Sequence, residues 1–177
     1  ELAAEWIGND NIHAFTNSID YKIYLDSILN DYPESDMAAV TGSGNWRYSL
    51  NPNKNFSQFH KHSDIDVSII SSKYFHEVWE ELRTYHRENY YLIGKMKKAD
   101  LNRNGQNVYS GFVTPKWIPN KMSKTRFQYE INTNKYSNKL VEFRSINMMF
   151  FKNTKELTDY YIRGIRIAKT RLREHGL

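Results

Sequence analysis

The chain has 177 residues and a mass of 21.1 kDa, which is enough for one domain with a full hydrophobic core. It contains no cysteine, which excludes disulfides and thiolate zinc sites, and no apolar stretch long enough to cross a membrane. Residues 1–40 hold eight acidic residues and one lysine, a net charge of −7, whereas residues 41–177 hold 24 basic and 12 acidic residues, a net charge of +12. We therefore expect one cytoplasmic domain, residues 1–177, with a basic body.

The first predicted element is a helix within residues 1–36. Asn9 or Asp10 can cap its start, apolar residues between 12 and 29 recur at helical spacing, and Pro33 disfavours helix at the residue before it. Because this helix carries acidic residues, we expect it to lie on the side of the sheet away from a site for a polyanion.

A sheet core is predicted over residues 37–151. A short apolar strand, Met37–Val40, leads into the small-residue turn Gly42–Gly44, and a second strand carries Asp64 and Asp66. Side chains alternate across a strand, so both aspartates point to one face, and the apolar residues between and after them point to a core on the other face.

These residue types indicate a site for a metal ion and a triphosphate. Two carboxylates on one strand face repel each other, and a bridging cation relieves that repulsion, so Asp64 and Asp66 are the candidate metal ligands. Glycine has no Cβ, so a phosphate can approach the backbone N–H groups of such a turn closely. Gly42, Ser43 and Gly44 are therefore the candidate nucleotide-binding residues.

This segment resembles the signature of the DNA polymerase beta-like nucleotidyltransferase superfamily. The signature is an apolar residue, Gly-Ser, a gap and Asp-apolar-Asp-apolar, which here are Val40, Gly42-Ser43 and Asp64-Ile65-Asp66-Val67. The resemblance covers about the first third of the chain, and the nineteen residues 45–63 exceed the usual gap, so we interpret them as an insert. The order of the predicted elements indicates an α+β fold, a short mixed sheet with packed helices and a C-terminal helix, and the resemblance implies the same minimal nucleotidyltransferase core.

The resemblance also implies cofactors and a third acid. Two Mg²⁺ ions (or Mn²⁺) would bridge the two aspartates to an NTP such as ATP, and a third catalytic carboxylate would lie on a later strand. Two acids, Glu130 and Glu142, have apolar neighbours of the kind that a strand requires. We predict Glu142 as the third catalytic residue because it belongs to the longer apolar run, Leu140–Phe151. Arg144 is predicted on the same face, and an ion pair between the two would make Glu142 structural.

The remaining elements are predicted from periodicity and turn residues. In chain order they are a helix over residues 74–89, a strand over 90–93, a basic loop over 95–105, a strand over 108–113 and a hairpin of residues 127–131 and 140–151. Residues 152–177 form the final helix, with Asn153 and Glu156 in a capping-box pattern.

Three classes of function are compatible with these residues. The first, which we predict, is an enzyme that moves a nucleotide from an NTP to RNA, a small molecule or a protein. The second is a catalytically degenerate relative that binds nucleotide or nucleic acid and regulates a partner, as the resemblance implies for small superfamily members in bacterial toxin–antitoxin and defence systems. The third is a nucleic-acid-binding protein that uses the basic charge of residues 41–177.

Overall fold

The computed structural model describes residues 2–120 and 122–174 of the chain. Over these residues it has seven α-helices: α1 Leu2–Ile7, α2 Ser18–Asp31, α3 Ser43–Trp46, α4 Ser72–Asn89, α5 Lys95–Tyr109, α6 Lys124–Tyr136 and α7 Thr154–Glu174. The strands are β1 Met37–Thr41, β2 Ile65–Ile70, β3 Phe112–Val113 and β4 Ile146–Phe151. Short 3₁₀ helices cover Pro52–Lys54, Pro115–Trp117 and Lys139–Val141.

The strands form one mixed sheet in the order β1-β2-β4-β3. β1 pairs with β2 and β3 pairs with β4 in antiparallel fashion, while β2 and β4 are parallel. Within this register Asp66 lies between Thr41 on β1 and Asn147 on β4. The predicted α+β class, with a mixed sheet, packed helices and a C-terminal helix, is confirmed.

The two faces of the sheet have different coverings. Ile65, Val67 and Ile69 of β2 are fully buried in the larger core, to which α2, α4, α5 and α6 contribute. On the other face, α1 and α7 cover Ile70 and Phe151. α2 packs on the face opposite Asp66, as predicted for the acidic N-terminal helix, whereas α1, which also lies within residues 1–36 and carries Glu5, packs on the face of Asp66.

The start predicted for the N-terminal helix is wrong. α2 begins at Ser18, and the side chain of Asn17 caps it by accepting a hydrogen bond from the backbone N–H of Asp20 at 2.9 Å. Asn9 and Asp10 lie in the segment between α1 and α2 instead.

The face of α2 that is buried also differs from the face that the spacing of its apolar residues predicts. Tyr21, Tyr24 and Ile28 are buried, whereas Ile19 and Ile23 are 70% and 54% exposed. The reason is tertiary: the Tyr21 hydroxyl accepts a hydrogen bond from a backbone N–H of β1 at 3.0 Å, which turns the tyrosine side of the helix to the sheet.

Several predictions for the second half of the chain are wrong. Residues 95–105 belong to α5 and not to a loop, and residues 127–131 belong to α6, so the predicted hairpin does not form in the described residues. Residues 90–93 are a turn, and the strands predicted from residues 108 and 140 begin only at Phe112 and Ile146. The predicted start of the final helix is confirmed, because Asn153 Oδ1 accepts a hydrogen bond from the N–H of Glu156 at 3.0 Å; residues 175–177 lie outside the described part.

None of the helices in the described part of the chain is both long enough and apolar enough to cross a membrane.

Candidate functional site

Asp64 and Asp66 share one face at the start of β2, as their spacing predicts. The side-chain amide of Asn147 donates through Nδ2 to Asp64 Oδ2 and to Asp66 Oδ1, both at 3.2 Å. One nitrogen can reach both carboxylates only because alternation along β2 sends them to the same side. Asp64 is exposed and Asp66 is half-buried.

The turn after β1 lies directly against this carboxylate pair. Gly42 has φ +65°, and a Cβ built on it would lie 2.8 Å from Asp66 Oδ2, so both the conformation and the space require glycine there. The prediction that the pair lies next to the Gly-Ser turn is confirmed. Ser43 is the first residue of α3 and lines a cleft together with Gly42 and Asp66. Gly44 is buried against Val40 and Phe59.

The position opposite Asp66 on β4 is an amide and not an acid. Asn147 occupies it, and Lys116 Nζ donates to Asn147 Oδ1 at 2.7 Å. Among the described residues, no group of three or more acidic, histidine or cysteine side chains is placed to hold a metal ion. Asn147 and Lys116 are therefore site residues that the search for a third carboxylate missed. The register of β2 against β4 places Asn147, and a hydrogen bond to Asn147 brings Lys116 into the site.

Glu142, the predicted third acid, lies elsewhere. It follows the 3₁₀ helix Lys139–Val141 in a left-handed conformation with φ 52°, so its predicted place in a strand is wrong. Its exposed carboxylate pairs with Arg144 at 2.7 Å and lines a separate cavity. The other candidate, Glu130, pairs with Arg126 on α6 at 3.0 Å. The catalytic role of Glu142 stays a prediction, which its position does not support.

Burial raises the pKa of the Asp66 carboxyl above its usual range. The hydrogen bond from Asn147 acts against this shift, the charge of Asp64 adds to it, and the charges of Lys54 and Lys116 oppose it. The ionised form of Asp66 is therefore costly in the folded protein, and a cation beside its carboxylate would offset that cost. The two carboxylates supply the oxygen ligands that a hard divalent cation prefers, whereas Asn147 presents its amide nitrogen to them and its oxygen to Lys116.

Two connected clefts meet at Asp66. The larger, of about 480 Å³, has an aromatic and apolar wall that includes Trp46, Leu50 and Tyr160, with Arg163 at α7. This volume lies in the range of small-molecule sites.

The smaller cleft, of about 270 Å³, is polar and lies on the other side of Asp66. It is lined by His60, His62, Asp64 and Asn147, and both clefts share Ser43, Ser49, Lys54 and Asp66. Lys54 comes from the insert 45–63, so the insert helps to form the site and is more than a surface loop.

No protein-family model matches the chain, and neither do any curated protein or solved structure. The resemblance to the nucleotidyltransferase superfamily therefore depends on the motif residues and stays a prediction.

Proposed function

We propose that the protein is a metal-dependent nucleotidyltransferase that moves a nucleotide from an NTP to a hydroxyl acceptor. One observation carries this proposal: Asp64 and Asp66 converge on one sheet face, where Asp66 approaches a turn that only glycine permits. A carboxylate pair beside such a turn offers ligands for a cation and close access to backbone N–H groups for a phosphate.

Each group in the clefts has a chemical task under this proposal. Gly42 and Ser43 would hold the triphosphate, and Lys54 would offset its negative charge. The aromatic and apolar wall of the larger cleft suits the base and ribose. Asp64 and Asp66 would hold Mg²⁺ or Mn²⁺, which when bound neutralises phosphate charge and lowers the pKa of an acceptor hydroxyl.

The transfer itself would be a substitution at the α-phosphorus of the NTP. The acceptor oxygen forms a new bond to phosphorus, the bond to the bridging oxygen breaks, pyrophosphate leaves, and the acceptor proton passes to solvent. The residues contribute by position and charge, because the reaction needs no covalent enzyme intermediate. RNA is the first acceptor to test, since residues 41–177 carry the basic charge of the chain.

The test is incubation with each α-labelled NTP, Mg²⁺ or Mn²⁺, and either RNA or no added acceptor, followed by product analysis. Asp66→Asn should lower transfer by about a thousandfold, because loss of a metal ligand removes several kcal/mol of charge stabilisation. Asp26→Asn, on an exposed position of α2, is the matched control and should leave transfer unchanged. Equal nucleotide affinity of wild type and Asp66→Asn by calorimetry, with and without metal, would contradict the proposal.

A second candidate function has a specific observation in its favour. Asn147 stands at the position facing Asp66, and a neutral amide attracts a cation less than a carboxylate does. A protein with an amide instead of a third carboxylate at this position would bind a nucleotide with metal but transfer it poorly, which suits a regulatory role. Under this alternative, wild type forms no labelled product, and Asn147→Asp increases metal affinity and yields product.

A further inference from the structure

The side-chain amide of Asn147 has one preferred orientation in the structure. Its Nδ2 donates to Asp64 Oδ2 and to Asp66 Oδ1, both at 3.2 Å. Its Oδ1 accepts a hydrogen bond from Lys116 Nζ at 2.7 Å. The opposite orientation would turn the amide oxygen toward two carboxylates and the amide nitrogen toward an ammonium group. The carboxylates and Lys116 together therefore determine which way the amide points.

This orientation presents the wrong end of the amide to a metal ion. Hard divalent cations bind the oxygens of carboxylates and side-chain amides, whereas the amide nitrogen of Asn147 faces the two aspartates. Among the described residues, no third acidic side chain joins Asp64 and Asp66 to form a metal-binding group. The Asn147 oxygen is a ligand of the right kind next to the pair, and Lys116 occupies it.

The Asn147 amide has room to turn over. Its side chain is half-buried and lines the polar cleft of Asp64 and Asp66 as well as a further cavity of about 470 Å³ beside α6. The last side-chain torsion of asparagine is broad and roughly two-fold, so a half-turn that exchanges the nitrogen and the oxygen is accessible. Such a half-turn requires that Lys116 releases the oxygen, because the ammonium group would otherwise face the amide nitrogen.

Lys116 can release Asn147 at low cost. The lysine is exposed, so water can replace the amide oxygen as its hydrogen-bond acceptor. Its Nζ also lies 5.3 Å from the centroid of the Trp117 ring, a contact that does not involve Asn147. The ammonium group therefore keeps favourable surroundings after it leaves the amide.

We propose that Asn147 Oδ1 is a third oxygen ligand of the metal ion at Asp64 and Asp66, and that Lys116 competes with the metal ion for this oxygen. The inference rests on the proposed function, because it assigns the metal ion to the same carboxylate pair. Without metal, Lys116 holds the oxygen, and the amide N–H groups satisfy the carboxylates. With metal, the oxygen turns to the ion and Lys116 is released. Lys116 is thus a positioning residue that lowers the metal affinity of the site.

The experiment is a titration with Mn²⁺ alone, without nucleotide, in which the electron paramagnetic resonance signal of the free ion measures binding. Lys116→Met should raise the Mn²⁺ affinity about tenfold, because it removes a hydrogen bond from a charged donor that competes for Oδ1. A gain in affinity is not the result of a damaged fold, and the exposed position of Lys116 tolerates the change.

Lys54→Met separates this competition from a general effect of charge. Burial raises the pKa of Asp66, and the charge of Lys54 opposes that rise more strongly than the charge of Lys116 does. Loss of charge alone should therefore raise the Mn²⁺ affinity at least as much in Lys54→Met as in Lys116→Met. Competition for the amide oxygen gives the reverse order, with Lys116→Met binding Mn²⁺ at least about fivefold more tightly than Lys54→Met.

A double variant tests the role of the oxygen itself. Asn147→Ala, introduced into Lys116→Met, removes the ligand that the first substitution set free, so most of the gain in Mn²⁺ affinity should be lost. If the amide only obstructed the site, the double variant would bind Mn²⁺ at least as tightly as Lys116→Met does.

The outcomes distinguish this proposal from the proposed function. Equal gains in Lys116→Met and Lys54→Met, or a double variant that keeps the gain, overturn the competition for Asn147 and leave the nucleotidyltransferase proposal intact. If Asp66→Asn leaves Mn²⁺ binding unchanged in wild type and in Lys116→Met, the carboxylate pair holds no metal ion, and both proposals are overturned.

Discussion

The two faces of strand β2 carry out different tasks with alternating residues of one short segment. Ile65 and Val67 are fully buried on one face, where four helices close the core. Asp64 and Asp66 point to the other face, which α1 and α7 cover only toward the far end of the strand. The comparison teaches that the core side fixes the strand in place, while the incomplete cover on the opposite side leaves the carboxylates open to a ligand.

A row of polar groups marks the boundary between the covered and open parts of the second face. Thr41 Oγ1 and Ser68 Oγ are 2.9 Å apart and buried; Thr41 pairs with Asp66 across β1 and β2, and Ser68 is the next residue on the same face of β2. Their mutual hydrogen bond satisfies polar atoms that would otherwise be costly under α7. Asp66, one step nearer the strand start, has Asn147 as its partner and the cleft in front of it.

The largest expected difference between the faces is in stability. Phe150 is 2% exposed on the apolar face of β4, and Phe150→Ala should lower the free energy of unfolding by about 3–5 kcal/mol because it leaves a cavity. Met149 is its neighbour on the opposite face and is half-buried beside the larger cleft, so Met149→Ala should cost less than about 2 kcal/mol. Urea denaturation of both variants measures the difference. Equal losses of unfolding free energy would contradict the expected difference between the two faces.

A smaller effect is expected at the turn that meets Asp66. Gly42→Ala forces a side chain into a left-handed conformation and against the Asp66 carboxylate, which should cost about 1–3 kcal/mol of stability and weaken nucleotide binding. Gly94→Ala is the control, because a Cβ there meets no described atom within 4 Å and should change stability by less than about 0.5 kcal/mol. If both variants lose the same stability and keep nucleotide affinity, the turn is not part of the site.

The smallest effect is a dependence of stability on pH that originates on the polar face. The pKa of Asp66 is raised in the folded protein, mainly by burial, above the value of about 3.9 that aspartate has in an unfolded chain. At a pH between these two pKa values, Asp66 keeps its proton in the folded protein and loses it in the unfolded chain. The free energy of unfolding therefore falls as pH rises through this range. Asp66→Asn removes the titrating group, so its stability relative to wild type should increase as pH rises above about 4.

Denaturation of wild type and Asp66→Asn at a series of pH values measures this effect. Saturating Mg²⁺ provides the control, because a cation on the ionised pair should reduce the difference between the two proteins at neutral pH. A stability difference that is constant from acid to neutral pH would mean that ionised Asp66 is not costly in the fold.

Local rules were sufficient for part of the architecture. Alternation placed Asp64 and Asp66 on one face, and the small-residue turn was correctly expected next to them. The capping pattern at Asn153 predicted the start of α7, because a cap depends only on residues within one turn. The same kind of reasoning failed for α5, whose polar and basic residues were expected to form a loop, and for α6, whose short apolar run fits either a strand or a helix until packing decides.

By itself, the sequence determined the α+β class, through the order of its predicted elements, and it determined the paired carboxylates and the glycine turn, because each of these depends on the backbone geometry of a few adjacent residues. Only the tertiary structure decided which group faces Asp66, since the register of β4 against β2 joins residues that are 81 positions apart in the chain. That register places Asn147 in the site and leaves Glu142 outside it.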